Sequence, residues 1–262
     1  MRLFFSFALL LWLAALVVTE AGAIEIDSVY REVTYTGGLE NPDMMGNTVT
    51  STVAGVFNES FSDLLNVPPN ELAGADVSQL SNIEIVDGTL FINAAGESGA
   101  YVTTLAGGLI ADAYAASTLA VIFSTSETMR LNVSLSVSSS LGIYYDGPGE
   151  GQVGSSHFAR ILLCLSGVGC LADTQVEDLS DNGLAVADGV SYDSVEIPPG
   201  TYQLGLIASS EVSSVDQGST LGGAEFSGYL WVEPVPEPGQ GAMLVAGIAF
   251  LVTRRRRAAR AR

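Results

Sequence analysis

A strict alternation of apolar and polar residues is the feature that most constrains how this chain can fold. It is clearest over residues 131–138, which read Leu-Asn-Val-Ser-Leu-Ser-Val-Ser. Successive side chains of a β-strand point to opposite faces of the sheet, so this pattern predicts a strand with one buried face and one solvated face. Such strands are typical of antiparallel sheets.

Short runs rich in Val, Ile, Thr, Tyr and Phe recur through the middle of the chain, separated by Gly, Asn, Asp, Ser and Pro. The candidate strands are Ser28–Thr36, Thr48–Phe57, Asn82–Val86, Thr89–Ile92, Tyr101–Leu105, Thr118–Ser124, Met129–Ser138, Gly142–Tyr145, Ala159–Leu165, Ser194–Ile197, Gly200–Ser209 and Gly223–Val232. Many short strands joined by turns predict an all-β fold, an antiparallel β-sandwich or jelly-roll-like body over residues 24–234.

Two turn signals and two helical segments complete this prediction. Asp87-Gly88 lies between two Ile-rich runs and predicts a hairpin turn, and Pro198-Pro199-Gly200 separates two further candidate strands. The candidate helices are Ser60–Leu65 and the alanine-rich Leu105–Ala116. Asp112 within the second argues against a membrane span, because an aspartate at the centre of a membrane helix costs about 2.5 to 3.5 kcal/mol. A core strand and a core helix are both open interpretations of this segment.

Residues 1–23 have the three parts of a secretory signal peptide. Arg2 is followed by an apolar run from Leu3 to Val18 and then by Ala21-Gly22-Ala23, a small-x-small site. The sequence therefore predicts a signal helix that is cleaved after Ala23. The alternative is a retained N-terminal membrane anchor.

The charges are divided unevenly between the body and the ends. Of the 29 acidic residues only Glu20 lies outside residues 24–238, whereas only Arg31, Arg130 and Arg160 of the ten basic residues lie inside that span, and the chain contains no lysine. Phosphate backbones would be repelled by so acidic a body, so no nucleic-acid partner is expected.

The two cysteines, Cys164 and Cys170, are six positions apart around Leu-Ser-Gly-Val-Gly. In an exported protein such a pair predicts a disulfide that pins a loop or a hairpin tip. The alternative is two reduced structural cysteines. Two thiols and the one histidine cannot supply a usual four-ligand zinc site.

The chain ends in a short apolar run beside a block of arginines. Residues 241–253 carry no charge but are fewer than the about 17 to 25 residues that cross a bilayer core. The arginines that follow match the flank that the positive-inside rule places in the cytoplasm. These features predict a short transmembrane helix that holds the protein in the membrane temporarily.

Residues 235–262 as a whole resemble the PEP-CTERM sorting signal of Gram-negative bacteria. The motif residues are Val235, Pro236, Glu237 and Pro238, and the basic residues after the helix are Arg254, Arg255, Arg256 and Arg257. The resemblance implies processing by an exosortase-type membrane enzyme in an organism that makes exopolysaccharide. It covers the tail and the signal peptide only, and an ordinary tail anchor is the alternative.

No catalytic arrangement stands out in the sequence. His157 is the one histidine and is interpreted as a plain strand-edge residue, and no G-x-S-x-G motif is present. Residues 149–154 match G-x-G-x-x-G, but their β-like flanks favour a glycine-rich loop over a dinucleotide site. We therefore expect a protein that is not an enzyme and has no cofactor, although paired carboxylates leave a hydrolase as an alternative.

Calcium is the one ligand for which a weak motif exists. Residues 178–183, Asp-Leu-Ser-Asp-Asn-Gly, match the opening of a calcium loop, and Asp178, Ser180, Asn182 and Asp188 are the candidate ligands. The twelfth position of the loop is Gly189 instead of an acid. A solvated acidic turn is the alternative interpretation.

Taken together, the sequence predicts a secreted surface or extracellular-matrix protein of exopolysaccharide or biofilm, with a non-enzymatic structural or interaction role. The precursor would be tethered to the inner membrane, and its partners would be the exosortase-type enzyme and exopolysaccharide. One alternative is a carbohydrate-binding module, with Tyr144, Tyr145 and Tyr192 as a candidate aromatic platform. The other is an exopolysaccharide hydrolase with two carboxylates across a cleft.

Overall fold

The computed structural model describes residues 24–39, 44–67, 71–104, 110–144, 152–178, 186–215 and 218–235. Within these ranges the chain forms twelve β-strands. They are β1 Ile24–Leu39, β2 Met44–Ser51, β3 Gly55–Val67, β4 Glu71–Val86, β5 Thr89–Thr104, β6 Ile110–Thr125, β7 Met129–Tyr144, β8 Gln152–Leu165, β9 Gly169–Asp178, β10 Val186–Ile197, β11 Gly200–Val215 and β12 Gly218–Pro234.

The strands form two six-stranded sheets in which each pair of neighbours is antiparallel. Sheet A has the order β2-β1-β6-β11-β8-β9, and sheet B has the order β10-β7-β12-β5-β4-β3. The central strands β5 and β12 of sheet B pack against β6 and β11 of sheet A. The predicted all-β antiparallel sandwich is therefore confirmed.

The alternation that predicted the strands is visible in their burial. Along β7, Leu131, Val133 and Leu135 are buried between the sheets, while Ser136 is exposed on the outward face. The same period of two runs through β5 and β12. Each strand thus contributes one row of side chains to the core and one row to an outer face.

Both predicted turns connect strands, but they do so differently. Asp87 and Gly88 have φ angles of 50° and 75° and close the β4–β5 hairpin, so this prediction is confirmed. Residues 198–199 join β10 to β11, which belong to opposite sheets, so this turn is a crossover. The Tyr202 hydroxyl donates a hydrogen bond of 2.6 Å to the Pro198 carbonyl and holds the crossover against β11.

The helix predicted over Ser60–Leu65 is wrong, and for Leu105–Ala116, where core strand and core helix were both open, the described part is a strand. Ser60–Leu65 lies within β3, and residues 110–116 of the second segment lie within β6, while 105–109 fall outside the described residues. Ala111, Ala113 and Ala115 are buried in alternation. Pairing of β6 with β1 and β11 outweighs the helix propensity of alanine, because propensity is weaker than tertiary packing.

The core is divided into two clusters by a row of buried polar side chains. The large cluster contains the bulky residues of β7, β8, β12 and adjacent strand ends. The second, which we call the alanine-rich cluster, contains six alanines and lies at the other end of β1, β4, β5 and β6. The polar belt between them is formed by Arg31, Gln79, Ser81, Ser98, Ser117 and Ser210.

Three predicted segments are not part of this description. The signal helix of residues 1–23 and the membrane helix and arginine block beyond Val235 lie outside the described residues. In the ranges that are described, no helix has the length and hydropathy of a membrane span.

Candidate functional site

Three aromatic side chains meet on the outward face of sheet B. Tyr229 and Trp231 alternate with buried Leu230 and Val232 on β12, and Phe91 on β5 lies directly opposite Trp231 in the register. The Tyr229 and Trp231 rings are stacked, with centroids 4.9 Å apart and planes 20° from parallel. Phe91, Tyr229 and Trp231 form the aromatic platform, on which Tyr229 remains 41% exposed.

Polar side chains border the aromatic platform on both sides. Asn93 on β5 and Ser134 on β7 are the cross-strand neighbours of Tyr229. Next to Trp231, the Asn132 side chain is buried, and its Oδ1 accepts a hydrogen bond of 2.8 Å from the Ser194 backbone N–H. That bond supports Ser194 at a φ of 56° in the β10 bulge, so this flank of the platform is fixed by the fold.

Two glutamates face each other four to six residues along the same strands. Glu97 on β5 pairs in register with Glu225 on β12. Ser78 Oγ donates to Glu97 Oε1 at 3.0 Å from the β4 side, and Ser138 Oγ donates to Glu225 Oε1 at 2.7 Å from the β7 side. Ser78, Glu97, Glu225 and Ser138 therefore form one row across four strands, which we call the carboxylate row.

A shallow groove, open to solvent, passes through the carboxylate row. It consists of three depressions of about 490, 290 and 170 Å³ that share Glu97. Many of the side chains around it are small or acidic: Ser60, Ser62, Asp76, Ser78, Ala95, Gly99, Ser138, Ser140, Gly223, Glu225 and Ser227. The larger apolar residues of the lining are Phe61, Val77, Leu80 and Phe226. The smallest depression contains Ala95 and Ser227, and therefore leads from the carboxylate row toward the platform.

Tyr101 marks the far end of this face. Its ring lies across Gly74 of the neighbouring strand, so closely that a Cβ at Gly74 would be 2.0 Å from the Tyr101 Cζ. Burial, with smaller effects from the carboxylates of Asp76 and Asp63, raises the pKa of the Tyr101 phenol. Phe91 and Tyr101 are ten residues apart on β5, so the face between them is roughly 33 Å long.

The sequence singled out other tyrosines for an aromatic platform. Tyr192 faces inward between the sheet edges, where its hydroxyl donates a 2.7 Å hydrogen bond to the Leu171 carbonyl of β9. The prediction that Tyr192 belongs to a solvent-face platform is therefore wrong. The side chain of Tyr144 and the whole of Tyr145 lie outside the described residues.

His157 is fully buried on β8, which lies between β11 and β9. Its ring packs over Gly222 of sheet B, where a Cβ would be 2.2 Å from Nε2. The interpretation of His157 as a strand-edge residue is therefore wrong, because the alternation along β8 directs it into the core.

The two cysteines lie at the tip of the β8–β9 hairpin. Cys164 and Cys170 are joined by a disulfide around the turn at residues 166–168. Gly167 and Gly169 adopt φ angles of 76° and 135° there, which residues other than glycine rarely adopt.

The candidate calcium ligands are only partly described. Asp178 is the last residue of β9, Ser180 and Asn182 lie outside the described residues, and Asp188 is exposed on β10. The Asp188 Oδ1 accepts a hydrogen bond of 2.7 Å from the Gly189 N–H. Within the described ranges no three His, Cys, Asp or Glu side chains are grouped to hold a metal ion. The calcium site stays a prediction.

The predicted sorting motif begins where the description ends. Val235 directly follows β12, whereas Pro236, Glu237, Pro238 and Arg254–Arg257 lie outside the described residues. Trp231 is therefore four residues from the start of the motif.

Comparison with known proteins gives no family. No protein-family model matches the chain, and no curated protein matches it. Among solved structures, the VP2 subviral particle of infectious bursal disease virus is 13% identical, with 90% of this chain and 74% of that chain covered and a TM-score of 0.14. The structure of the Gx strain of this virus is 10% identical, with 84% and 68% covered and a TM-score of 0.14. Scores this low carry no argument about fold or function.

Proposed function

We propose that this protein is an exported surface or extracellular-matrix protein that binds polysaccharide, without a catalytic step, through the outward face of sheet B. The observation that carries this proposal is the aromatic platform of Phe91, Tyr229 and Trp231 on the same face as an open groove that ends two residues from Tyr229. This platform supports the carbohydrate-binding interpretation more strongly than a purely structural role.

The platform suits the apolar faces of sugar rings. Pyranose rings present C–H groups that pack on aromatic faces, and Tyr and Trp combine a large apolar surface with a polar group at the edge. Asn93 and Ser134 beside Tyr229 add an amide and a hydroxyl that can bond sugar hydroxyls. Because β12 is paired on both sides, the aromatic groups are held on a rigid support.

The shape of the face favours a polymer over a single sugar. The groove runs along β5 and β12 past Glu97 and Glu225 as far as Ala95 and Ser227, two residues short of Tyr229, and Tyr101 lies beyond its other end. Small ligands are usually enclosed in concave pockets, whereas this groove is shallow and open. An open groove also leaves its carboxylates in water, which favours binding over catalysis.

The ends of the chain support export. Residues 1–23 have the pattern of a signal peptide, and residues 235–262 resemble the PEP-CTERM signal. The disulfide of Cys164 and Cys170 is typical of an oxidising compartment. In this proposal an exosortase-type enzyme processes a precursor held at the inner membrane, and the acidic body then joins the exopolysaccharide.

Affinity electrophoresis tests the binding. The full-length chain, purified in mild detergent, is run in native gels that contain a panel of neutral, basic and acidic polysaccharides. We expect retardation by at least one polymer and about a tenfold weaker effect for Trp231→Ala, a loss typical of a stacked aromatic anchor.

Tyr30→Ala is the matched control for Tyr229→Ala. Both tyrosines are 41% exposed, but Tyr30 lies on β1 of sheet A. Tyr30→Ala should bind as the wild type does and Tyr229→Ala should bind more weakly. If no polysaccharide retards the wild type, or if folded Trp231→Ala, checked by circular dichroism, is retarded equally, the proposal is wrong.

A further inference from the structure

We infer that the polymer bound by this face is a cationic amino-sugar polysaccharide, whose ammonium groups lie along the carboxylate row of Glu97 and Glu225. This inference rests on the proposed function and narrows it to one chemical class. It is carried by the charge of the groove together with the aromatic platform beside it.

The carboxylate row is arranged to receive a cation. Glu97 and Glu225 are directly opposite each other on adjacent strands, and like charges in this position destabilise a sheet. Ser78 and Ser138 approach the two carboxylates from the outer strands. An ammonium with three N–H donors at either glutamate would offset the repulsion and form charge-assisted hydrogen bonds to its carboxylate.

The rest of the face has the same sign of charge. Asp76 lies in the groove, and Glu84 is the cross-strand neighbour of Phe91. Among the described residues Arg130 is the one cation on this face, and its Nη1 lies 3.7 Å from Glu233 Oε1. An acidic polysaccharide would be repelled, whereas a cationic one would be concentrated at the surface.

The two other described arginines do not reduce the negative charge of this face. Arg31 is buried between the sheets at 1% exposure. Arg160 lies on sheet A, where its Nε and Nη2 donate to both carboxylate oxygens of Asp173. The chain has no lysine, so sheet B presents its carboxylates without a compensating basic patch in the described residues.

The aromatic platform favours the same ligand independently. Ammonium groups are attracted to the faces of Trp and Tyr rings by cation–π interaction. Tyr229 and Glu225 are four residues apart on β12, or roughly 13 Å. A short stretch of polymer that stacks on the platform therefore reaches the carboxylate row through the depression at Ala95 and Ser227.

Three oligosaccharides of equal length test the inference by calorimetry with the full-length chain. They are a glucosamine hexamer, its fully N-acetylated form and a galacturonic acid hexamer. The titrations are run at about pH 5.5, where the glucosamine amines are protonated. We expect the glucosamine hexamer to bind about tenfold more tightly than the N-acetylated one, and the galacturonic acid hexamer not to bind.

Variants separate the charge from the stacking. Glu97→Gln and Glu225→Gln should remove the preference for glucosamine and keep the affinity for the N-acetylated hexamer, whereas Trp231→Ala should weaken both. Glu211→Gln, an exposed glutamate on β11 of sheet A, is the matched control and should leave the preference unchanged. Glu225→Gln should also raise the melting temperature of the free protein, because it removes a like-charge pair.

The outcomes distinguish this inference from the function on which it rests. Equal affinity for the glucosamine and N-acetylated hexamers, or tighter binding of the galacturonic acid hexamer, overturns the amino-sugar assignment and leaves polysaccharide binding in place. A preference that survives in Glu97→Gln/Glu225→Gln also overturns it. Absence of binding to all three oligomers and to the whole polysaccharide panel overturns the proposed function itself.

Discussion

The two ends of the core share β1, β4, β5, β6 and β11 but differ in their other strands and in their side chains. On the platform's side of the polar belt the large cluster contains Phe123, Tyr202 and Phe226, each at most 1% exposed. Beneath Tyr101 the alanine-rich cluster contains Ala73, Ala75 and four more alanines. Burying a large side chain contributes about 1.5 to 3 kcal/mol, so most of the hydrophobic stabilisation lies on the side of the platform, which needs a rigid support.

The polar belt separates these two ends. The Arg31 Nη2 donates a 2.7 Å hydrogen bond to the Gly55 carbonyl, and the guanidinium lies 5.6 Å from the centre of the Phe57 ring. Burial lowers the pKa of Arg31. Across the sheets Ser210 Oγ donates to the Ser98 carbonyl at 3.0 Å. The belt holds the sheets together through polar contacts where apolar packing is interrupted.

The largest expected effect comes from truncating a phenylalanine of the large cluster. Phe226→Ala on the central strand β12 should lower the free energy of unfolding by about 3–5 kcal/mol, because it leaves a cavity in a packed region. Phe57→Ala on the edge strand β3 is the matched change in the alanine-rich cluster and should cost less. Urea unfolding monitored by fluorescence measures both, and equal losses would contradict the proposed difference between the two ends.

Arg31 tests the polar belt. Arg31→Ala should lower the free energy of unfolding by about 2–4 kcal/mol, because it leaves a cavity and removes the donor to the Gly55 carbonyl. Arg31→Met should remain within about 1 kcal/mol of the wild type, since a well-packed apolar side chain avoids the cost of burying a charge. Urea unfolding of both variants checks this, and an Arg31→Met protein as unstable as Arg31→Ala would show that the charge itself is needed.

Tyr202 tests the crossover at the platform end. Tyr202→Phe keeps the ring that stacks on Phe123, with centroids 5.4 Å apart, and removes the hydroxyl that binds Pro198 O. We expect a loss of about 0.5–1.5 kcal/mol in the free energy of unfolding. An unchanged urea midpoint would mean that this hydrogen bond contributes nothing to holding the crossover.

The smallest effect is expected at Asp112, beside the alanines of β6. Burial raises the pKa of the Asp112 carboxyl in the folded protein, so the folded state binds its proton more tightly than the unfolded state. Ionisation of Asp112 therefore costs stability at neutral pH, and the cost disappears below the unfolded pKa of about 3.9. Asp112→Asn should melt slightly higher than the wild type at pH 7 and equally near pH 3; a difference that persists at low pH would rule out this cause.

The sequence predicted the fold in segments where apolar and polar residues alternate, so that each type can occupy only one face of a strand. The alternation in residues 131–138 and the Asp87-Gly88 turn led directly to β7 and to the β4–β5 hairpin. In residues 110–116 the inward side chains are alanines, which favour helices, so the period of two was hidden. Strand order and register depend on contacts between distant residues and are not written in any local pattern.

The aromatic platform was missed for the same reason. Trp231 and Tyr229 were visible in the last predicted strand, but Phe91 lies in an early one, and the Phe91–Trp231 register brings them together. Glu97 and Glu225 are likewise joined only by pairing of β5 with β12. The alternation of side chains along a strand over residues 226–232 places Tyr229 and Trp231 on one face. That pattern is the signal in the sequence that pointed to this site.

The position of Trp231 on the final strand determines how the molecule would respond to tension. If a ligand pulls on Trp231 while the chain is held beyond Val235, the force crosses Val232, Glu233 and Pro234 alone, whose partners are Leu90 on β5 and residues 129–131 on β7. The other nine described strands lie outside this mechanical path. The force that a stretched matrix exerts on the protein would thus pass through a few residues, and the rest of the sandwich could remain folded.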